Sequence, residues 1–268
     1  MPNLDTSIAP AVNYHMVGKG PALVLLHGFP ESSAIWQPIG AFLSQWYTVI
    51  MPDMPGVGAT PYLQPASIAD MAIIVKEILD ELDIPKAVIY GHSMGGYIAL
   101  AFAQQFPECV AGLSLIHSTP EADNEEKIIN RRRVMEIIRN GGKNAFIEQM
   151  IPNLFAASYV ARCPEIIQNQ IQKGKVPSAE ALINFYEAMI ARPLLASVLT
   201  TDLYPVQMVL GDSDNLLNTN TLLQYSYLAN VNFVMVYTDC GHMSMIEMPE
   251  LLQKDMATFA QYCLSMNE

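Results

Sequence analysis

The stretch Ala87-Val-Ile-Tyr-Gly-His-Ser-Met-Gly-Gly96 constrains the fold of this chain more than any other. A short apolar run from Ala87 to Tyr90 meets Gly91-His92-Ser93-Met94-Gly95, and an apolar helical run follows from Tyr97 to Phe106. The order is strand, sharp turn, helix, and in that order G-x-S-x-G is informative. A serine at the tip of such a turn takes a strained backbone geometry. Glycines flank it because a Cβ there would collide with the neighbouring strand or helix. The hydroxyl is pushed out of the sheet, and the helix N-terminal amides behind it favour negative charge nearby.

Around this turn the chain alternates. Val12 to Val17 is a weak strand closed by Gly18-Lys19-Gly20, and Ala22 to Leu26 and Thr48 to Met51 are apolar runs suited to strands covered on both faces. Ile35, Trp36, Ile39, Phe42, Leu43 and Trp46 recur at helical spacing and predict one core-facing stripe. Ser67 and Asp70 form a capping-box start for a helix running to Leu82, and Pro85 ends it before the Ser93 strand. Val110 to Ile116 is the next strand. This alternation predicts an α/β fold with a mostly parallel central sheet and helices on both faces.

The alternation stops over residues 121–200, where only short amphipathic helices are legible, broken at Gly141-Gly142, Pro152, Pro164, Pro177 and Pro193. Residues 1–120 and 201–268 are therefore read as the core, and 121–200 as an all-helical lid over the strand ends, where ligands of open α/β sheets bind. The methionines and phenylalanines of the lid suggest an apolar-lined pocket and an apolar small-molecule substrate. The sheet resumes with Val206 to Leu210, a helix is expected over Thr219 to Ala229, and a strand over Val231 to Tyr237. Leu251, Leu252, Met256, Phe259 and Cys263 predict a closing amphipathic helix.

Composition excludes several classes. With a formal net charge of −12, the 268-residue chain would repel a phosphate backbone, so nucleic acid is not an expected partner. Arg131-Arg132-Arg133, the one dense basic run, lies in a helical pattern beside Glu125, Glu126 and Glu136 and reads as a solvated helix face. Met1 to Pro10 lacks a signal-peptide pattern, and no run approaches the roughly 18 apolar residues of a membrane span, so a cytoplasmic protein is expected. Cys109, Cys163, Cys240 and Cys263 are widely spaced, with no C-x-x-C or histidine pairing for zinc. There is no nucleotide-binding glycine motif around Pro52-Asp53-Met-Pro-Gly-Val-Gly58, where Asp53 is read as a brace for its loop.

A serine becomes a nucleophile only when a base takes its proton, and a histidine base needs an acceptor on its far nitrogen. Ser93, Asp214 and His242 each follow a predicted strand, and in a parallel sheet those strand ends lie along one edge. The order nucleophile, acid, histidine is that of α/β-hydrolases. Asp212, two residues earlier, competes with Asp214 for the acid, and Glu121 or Asp123 is a fallback. His27 and His92 precede tight loops and read as packing residues; His15 and His117 have no supporting context. The tight loop His27-Gly28-Phe29-Pro30 leaves backbone N–H groups unpaired by the sheet, as a developing oxyanion requires.

Over nearly its whole length the chain resembles the α/β-hydrolase family. His27-Gly-Phe-Pro30 is similar to its oxyanion loop, Gly91-His-Ser-Met-Gly95 to its nucleophile elbow, Gly211-Asp-Ser-Asp214 to its acid turn, and Gly241-His242 with Glu247-Met-Pro249 to its histidine loop. The resemblance implies that the backbone N–H groups of Phe29 and Met94 form the oxyanion hole and that the insertion is the family's helical cap. It implies no metal and no organic cofactor. Serine at the elbow, where related folds that open epoxides or displace halide carry aspartate, points to an esterase or lactonase working through an acyl-enzyme. Cleavage of a carbon–carbon bond, cofactor-free peroxidation and amide hydrolysis use the same three residues, and a hydrolase-derived small-molecule sensor is the alternative of a different class.

Overall fold

In the computed structural model, which describes residues 12–62 and 65–265, seven strands form one sheet. They are β1 (Tyr14–Val17), β2 (Ala22–Leu26), β3 (Thr48–Pro52), β4 (Ala87–His92), β5 (Val110–Ile116), β6 (Val206–Gly211) and β7 (Asn232–Tyr237). Their spatial order is β1-β3-β2-β4-β5-β6-β7, with only β1 antiparallel. The strands read as continuous apolar runs occupy the middle. Every residue of β2, β4, β5 and β6 is buried, because helices cover both faces of the sheet there. The edges differ: β1 and β7 expose part of their length, which is why β1 is a weak signal in the sequence. Met1 to Pro10, read above for a leader, lies outside the described residues.

The flanking helices are α1 (Gln37–Leu43), α2 (Ile68–Glu81), α3 (Met94–Gln105) and, at the C-terminal end, the single turn α10 (Ser244–Glu247) and the long α11 (Pro249–Ser265). Helix α2 packs on α3, and α1 packs on α11. Helix α2 starts on the expected capping box: the Ser67 hydroxyl accepts the Asp70 N–H while the Asp70 carboxylate accepts the Ser67 N–H. The Asp53 carboxylate braces its loop by accepting the N–H groups of Ser33 and Ala59, both at 2.8 Å. Polar side chains buried beneath α11 are paired: Tyr90 Oη donates to the Met256 carbonyl at 2.7 Å, and Gln207 joins Ser114 Oγ to the Asp255 carbonyl.

Three helical expectations need correction. Helix α1 ends at Leu43, so Trp46 falls in the following turn, 52% exposed, and meets Phe42 edge-on instead of entering the core. Leu251 lies on the solvent side of α11. The helix expected over Thr219 to Ala229 is only α9 (Thr219–Leu223), beyond which the chain continues in i→i+3 turns, the Tyr225 N–H donating to the Leu222 carbonyl and the Ser226 N–H to the Leu223 carbonyl.

Between β5 and β6 the chain has helices and no strand: α4 (Glu125–Ile137), α5 (Lys143–Met150), α6 (Ala157–Arg162), α7 (Pro164–Gly174) and α8 (Ala179–Ala191), joined by short loops. The expected breaks separate them. Gly141 has φ +85° between α4 and α5, and Pro164 opens α7. No helix among the described residues is long and apolar enough to cross a membrane.

Candidate active site

The elbow between β4 and α3 holds Ser93 at φ +51° and ψ −116°, a region that non-glycine residues seldom enter. Its surroundings impose the strain. The Ser93 N–H donates to the Ile116 carbonyl at 3.0 Å, and the Ser93 carbonyl accepts from Ser118 Oγ at 2.8 Å. A Cβ on Gly91 would strike the Gly95 carbonyl, and one on Gly95 would strike the carbonyls of Leu26 and His27 at the end of β2. The close approach of α3 to two strands thus dictates both glycines. Phe29 lines the same cavity as Ser93. Neither its N–H nor that of Met94 finds an acceptor among the described loop hydrogen bonds, leaving two backbone donors beside the serine.

The two histidines read as packing residues serve the backbone. His27 Nε2 accepts the Met54 N–H at 3.0 Å, which fixes the proton on Nδ1 toward the Gly28 carbonyl. His92 Nε2 donates to the His242 carbonyl at 2.9 Å, with Nδ1 3.3 Å from the Glu31 carboxylate.

Asp214 and His242 meet although 28 residues separate them: His242 Nδ1 lies 2.7 Å from Asp214 Oδ2. The competing acids are engaged elsewhere. Asp212 accepts the Asp239 N–H, Glu121 accepts from Tyr225 Oη, and Asp123 pairs with Arg131 and Arg192. Asp214 Oδ1 also accepts the N–H groups of Leu216 and Leu217 at 2.8 and 3.1 Å. Burial works against its charge, yet the His242 ring and the hydrogen bonds from its neighbours hold its carboxyl well below the usual range. Burial likewise pulls His242 down, but the Asp214 carboxylate outweighs it and holds the ring above the ordinary imidazole value.

His117, which sequence reasoning passed over, is the unexpected neighbour. It stands at φ +46° just past β5, fully buried, with Nδ1 3.3 Å from the same Asp214 oxygen. Burial lowers its pKa to about 4, so the ring is neutral near pH 7. Its position at a strand end beside the elbow was the only available signal. His117, Asp214 and His242 each offer a donor atom within 4.8 Å of one another. Both rings address one carboxylate oxygen, and 2.7 Å is the spacing of an N–H···O bond, shorter than the roughly 3.3 Å between two ligands around a tetrahedral metal. The trio therefore fits a carboxylate shared by two imidazoles better than a metal site.

Glu247 secures the histidine loop. Its half-buried carboxylate accepts the N–H groups of Gly241 and Met243, on either side of His242, and that of Ala156 from the helical insertion. Burial raises its carboxyl despite these three donors. The His242 N–H itself donates to the Leu154 carbonyl at 2.6 Å. The loop carrying the imidazole is thus tied to the insertion at the Leu154 carbonyl and the Ala156 N–H.

Ser93 and His242 open onto one cavity of about 270 Å³ between the strand ends and the insertion. Phe29 and Tyr97 contribute to its wall from the core, and Arg131, Phe146, Tyr186 and Met189 from the insertion. Among the described residues His242 Nε2 has no hydrogen-bond partner, the Ser93 hydroxyl included. Cys109, Cys163 and Cys240 are free thiols, and Cys240 is buried at the start of the histidine loop, where burial and nearby carboxylates push its thiol far up.

Residues 21–141 match the family model of the alpha/beta hydrolase fold. A thermophilic esterase from Thermogutta terrifontis, solved with malate bound, superposes with a TM-score of 0.89 at 28% identity, over 94% of this chain and 93% of that one. A putative 2-succinyl-6-hydroxy-2,4-cyclohexadiene-1-carboxylate synthase from Bacillus subtilis is 27% identical over 97% of this chain and 98% of its own length. An uncharacterized protein of Mycobacterium tuberculosis is 39% identical over 104 residues, and the chain spans only 30% of that relative's length. With the sheet order and the strand–elbow–helix unit described above, these findings show that the chain has the alpha/beta hydrolase fold.

Proposed function

We propose that the protein is a serine hydrolase that cleaves small carboxylic esters or lactones through an acyl-enzyme, with Ser93 as nucleophile, His242 as general base and acid, and Asp214 as its orienting carboxylate. The observation that carries this reading is the 2.7 Å Asp214–His242 bond on one side of a ring whose other nitrogen is unpartnered in the cavity that Ser93 also lines. The Asp214 acceptor keeps the ring proton on Nδ1 and leaves Nε2 as a lone pair. Residues 121–200 act as the cap, and the similarity to the Thermogutta esterase supports ester chemistry.

The steps follow from these positions. Substrate arrival turns the Ser93 hydroxyl toward His242 Nε2, which takes its proton as Oγ bonds to the carbonyl carbon. The carbonyl oxygen becomes an oxyanion and receives the N–H groups of Phe29 and Met94; losing one such donor typically costs about 3 kcal/mol of barrier. The imidazolium, stabilised by Asp214, then protonates the departing alkoxide. A water molecule gives its proton to Nε2 and its hydroxyl to the acyl carbon, and the proton returns to Ser93 as the acid leaves.

The test is labelling by a fluorophosphonate probe together with turnover of p-nitrophenyl acetate. Ser93→Ala is expected to abolish labelling and to lower turnover by about four orders of magnitude or more, with the thermal transition retained. Unchanged turnover in that variant overturns the assignment.

A further inference from the structure

Resting on the reading that this site cleaves a carboxylic ester, we propose that the ester it takes bears a free carboxylate, which docks on Arg131 at the insertion side of the cavity. The wall carries Lys127 and Arg131 and not one aspartate or glutamate, in a protein whose formal net charge is −12. The two cations are four residues apart on α4 and, with Asn130 and Val134, form the single helix face turned to the cavity. A chain so acidic overall repels anions at long range, so a local excess of positive charge beside the reacting serine marks what that spot binds.

Ion pairing within the protein does not cancel this charge. Asp123, with no exposed side-chain surface, is shared between two guanidiniums: Arg131 Nε donates to its Oδ2 at 2.6 Å and Arg192 Nη2 lies 2.9 Å from its Oδ1 as an ion pair. One carboxylate between two arginines leaves a formal charge of +1. Burial would raise the Asp123 carboxyl, but the two guanidiniums hold it below its ordinary value, so it stays ionised. Arg192 is buried and occupied, donating to the carbonyls of Met189 and Glu121 and stacking 3.8 Å from the Tyr97 ring centroid. Arg131 is less committed. Beyond its Nε bond, its guanidinium carbon lies 5.5 Å from the Tyr186 ring centroid, and Nη1 meets only the Met189 sulfur at 3.2 Å, a weak acceptor.

The terminal edge of Arg131 thus faces the cavity with no oxygen acceptor among the described residues, held in place by Asp123 behind it and Tyr186 beside it. A planar guanidinium in that state pairs best with a carboxylate, and a partly buried excess charge gains most from an anion that completes the pairing. Tyr186 also packs against Phe29, with ring centroids 4.8 Å apart, so the same aromatic contact joins the Arg131 wall to the loop beside the serine. The substrate class is an ester with an apolar body and a carboxylate end, such as a half-ester of a short dicarboxylic acid.

The experiment compares kcat/KM of the native protein for monomethyl succinate, glutarate and adipate with that for the matching methyl esters ending in a primary amide. At least one acid is expected to exceed its amide isostere by roughly 10- to 100-fold, the range of a charge-assisted pair. Arg131→Gln is expected to cut that ratio by about tenfold or more, and Arg131→Lys to keep part of it. Because the Gln variant disturbs a buried pair and can fail to fold, a second measurement uses the native protein: glutarate, but not glutaramide, should slow fluorophosphonate labelling of Ser93, and added salt should weaken that protection. Equal turnover of acid and amide, or equal protection by glutarate and glutaramide, overturns the carboxylate site while leaving ester hydrolysis standing. No turnover of any ester with no labelling of Ser93 overturns the reaction itself, and the carboxylate site with it.

Discussion

The cavity has two walls made in different ways. The wall on the sheet side is backbone-determined: Ser93 in left-handed geometry, glycines at points where helix and strand touch, N–H groups of Phe29 and Met94 with no acceptor among the described residues, and a histidine loop clamped by Glu247. The insertion-side wall is side-chain-determined, built from one face of α4, the aromatic ring of Tyr186 and an arginine held by a shared carboxylate. Strand ends confine their loops tightly enough to set reaction geometry. Helices laid over them vary their wall with few backbone consequences, which suits selection among substrates.

Substitutions on the two walls should therefore fail differently. Asp214→Asn, which leaves the imidazole with the wrong tautomer, is expected to lower kcat by about three to four orders of magnitude with KM little changed, whereas Asp212→Asn stays within about threefold. Equal losses in the two variants, in steady-state assays, would put the acid in doubt. Glu247→Gln removes a charge-assisted acceptor from three backbone donors and is expected to cost about 2 kcal/mol of stability in urea unfolding, with a fall in kcat, because the histidine loop loses its clamp on both sides. A drop in stability without a change in kcat would show that the clamp does not position His242.

Smaller effects sharpen the sheet-side assignments. His117→Phe removes the neutral imidazole whose Nδ1 lies 3.3 Å from Asp214 while the Leu216 and Leu217 N–H groups remain, and a loss in kcat of roughly two- to tenfold is expected. In the pH profile the base must be unprotonated, and Asp214 holds His242 above the ordinary imidazole value. Activity should therefore rise with pH through a limb whose midpoint lies above about 6.5 and falls to lower pH in Asp214→Asn. The same shift acts on stability: the raised His242 contributes fully below its unfolded-state pKa, and the contribution is lost as pH climbs through the folded one. His117, lowered to about 4, adds no second limb near neutrality.

Much of this was legible in the sequence because local rules sufficed. Unbroken apolar runs marked the fully covered strands β2, β4 and β5, the Ser67/Asp70 box marked the start of α2, and Gly91 and Gly95 marked close approach. Trp46 and Leu251 misled because helical spacing alone does not say where a helix stops or which side of its stripe meets solvent. His117 and Glu247 were missed as site residues because their partners lie 97 and 6 residues away, across strand ends and around a loop whose path spacing does not reveal. Arg131 was read as part of a solvated helix face, which holds for its exposed neighbours Arg132 and Arg133 and fails for it, because one position in that helix turns inward onto Asp123.

The order of residues alone determined that a strained serine would sit between a buried strand and a helix, with an acid and a histidine after later strands of the same parallel sheet. Periodicity and turn chemistry act within a few residues and are written in order along the chain. Which acid reaches the imidazole, which second histidine shares that acid, and which cation is left facing the cavity were decided only when distant elements packed, because those outcomes depend on distances and shared partners that no local pattern encodes.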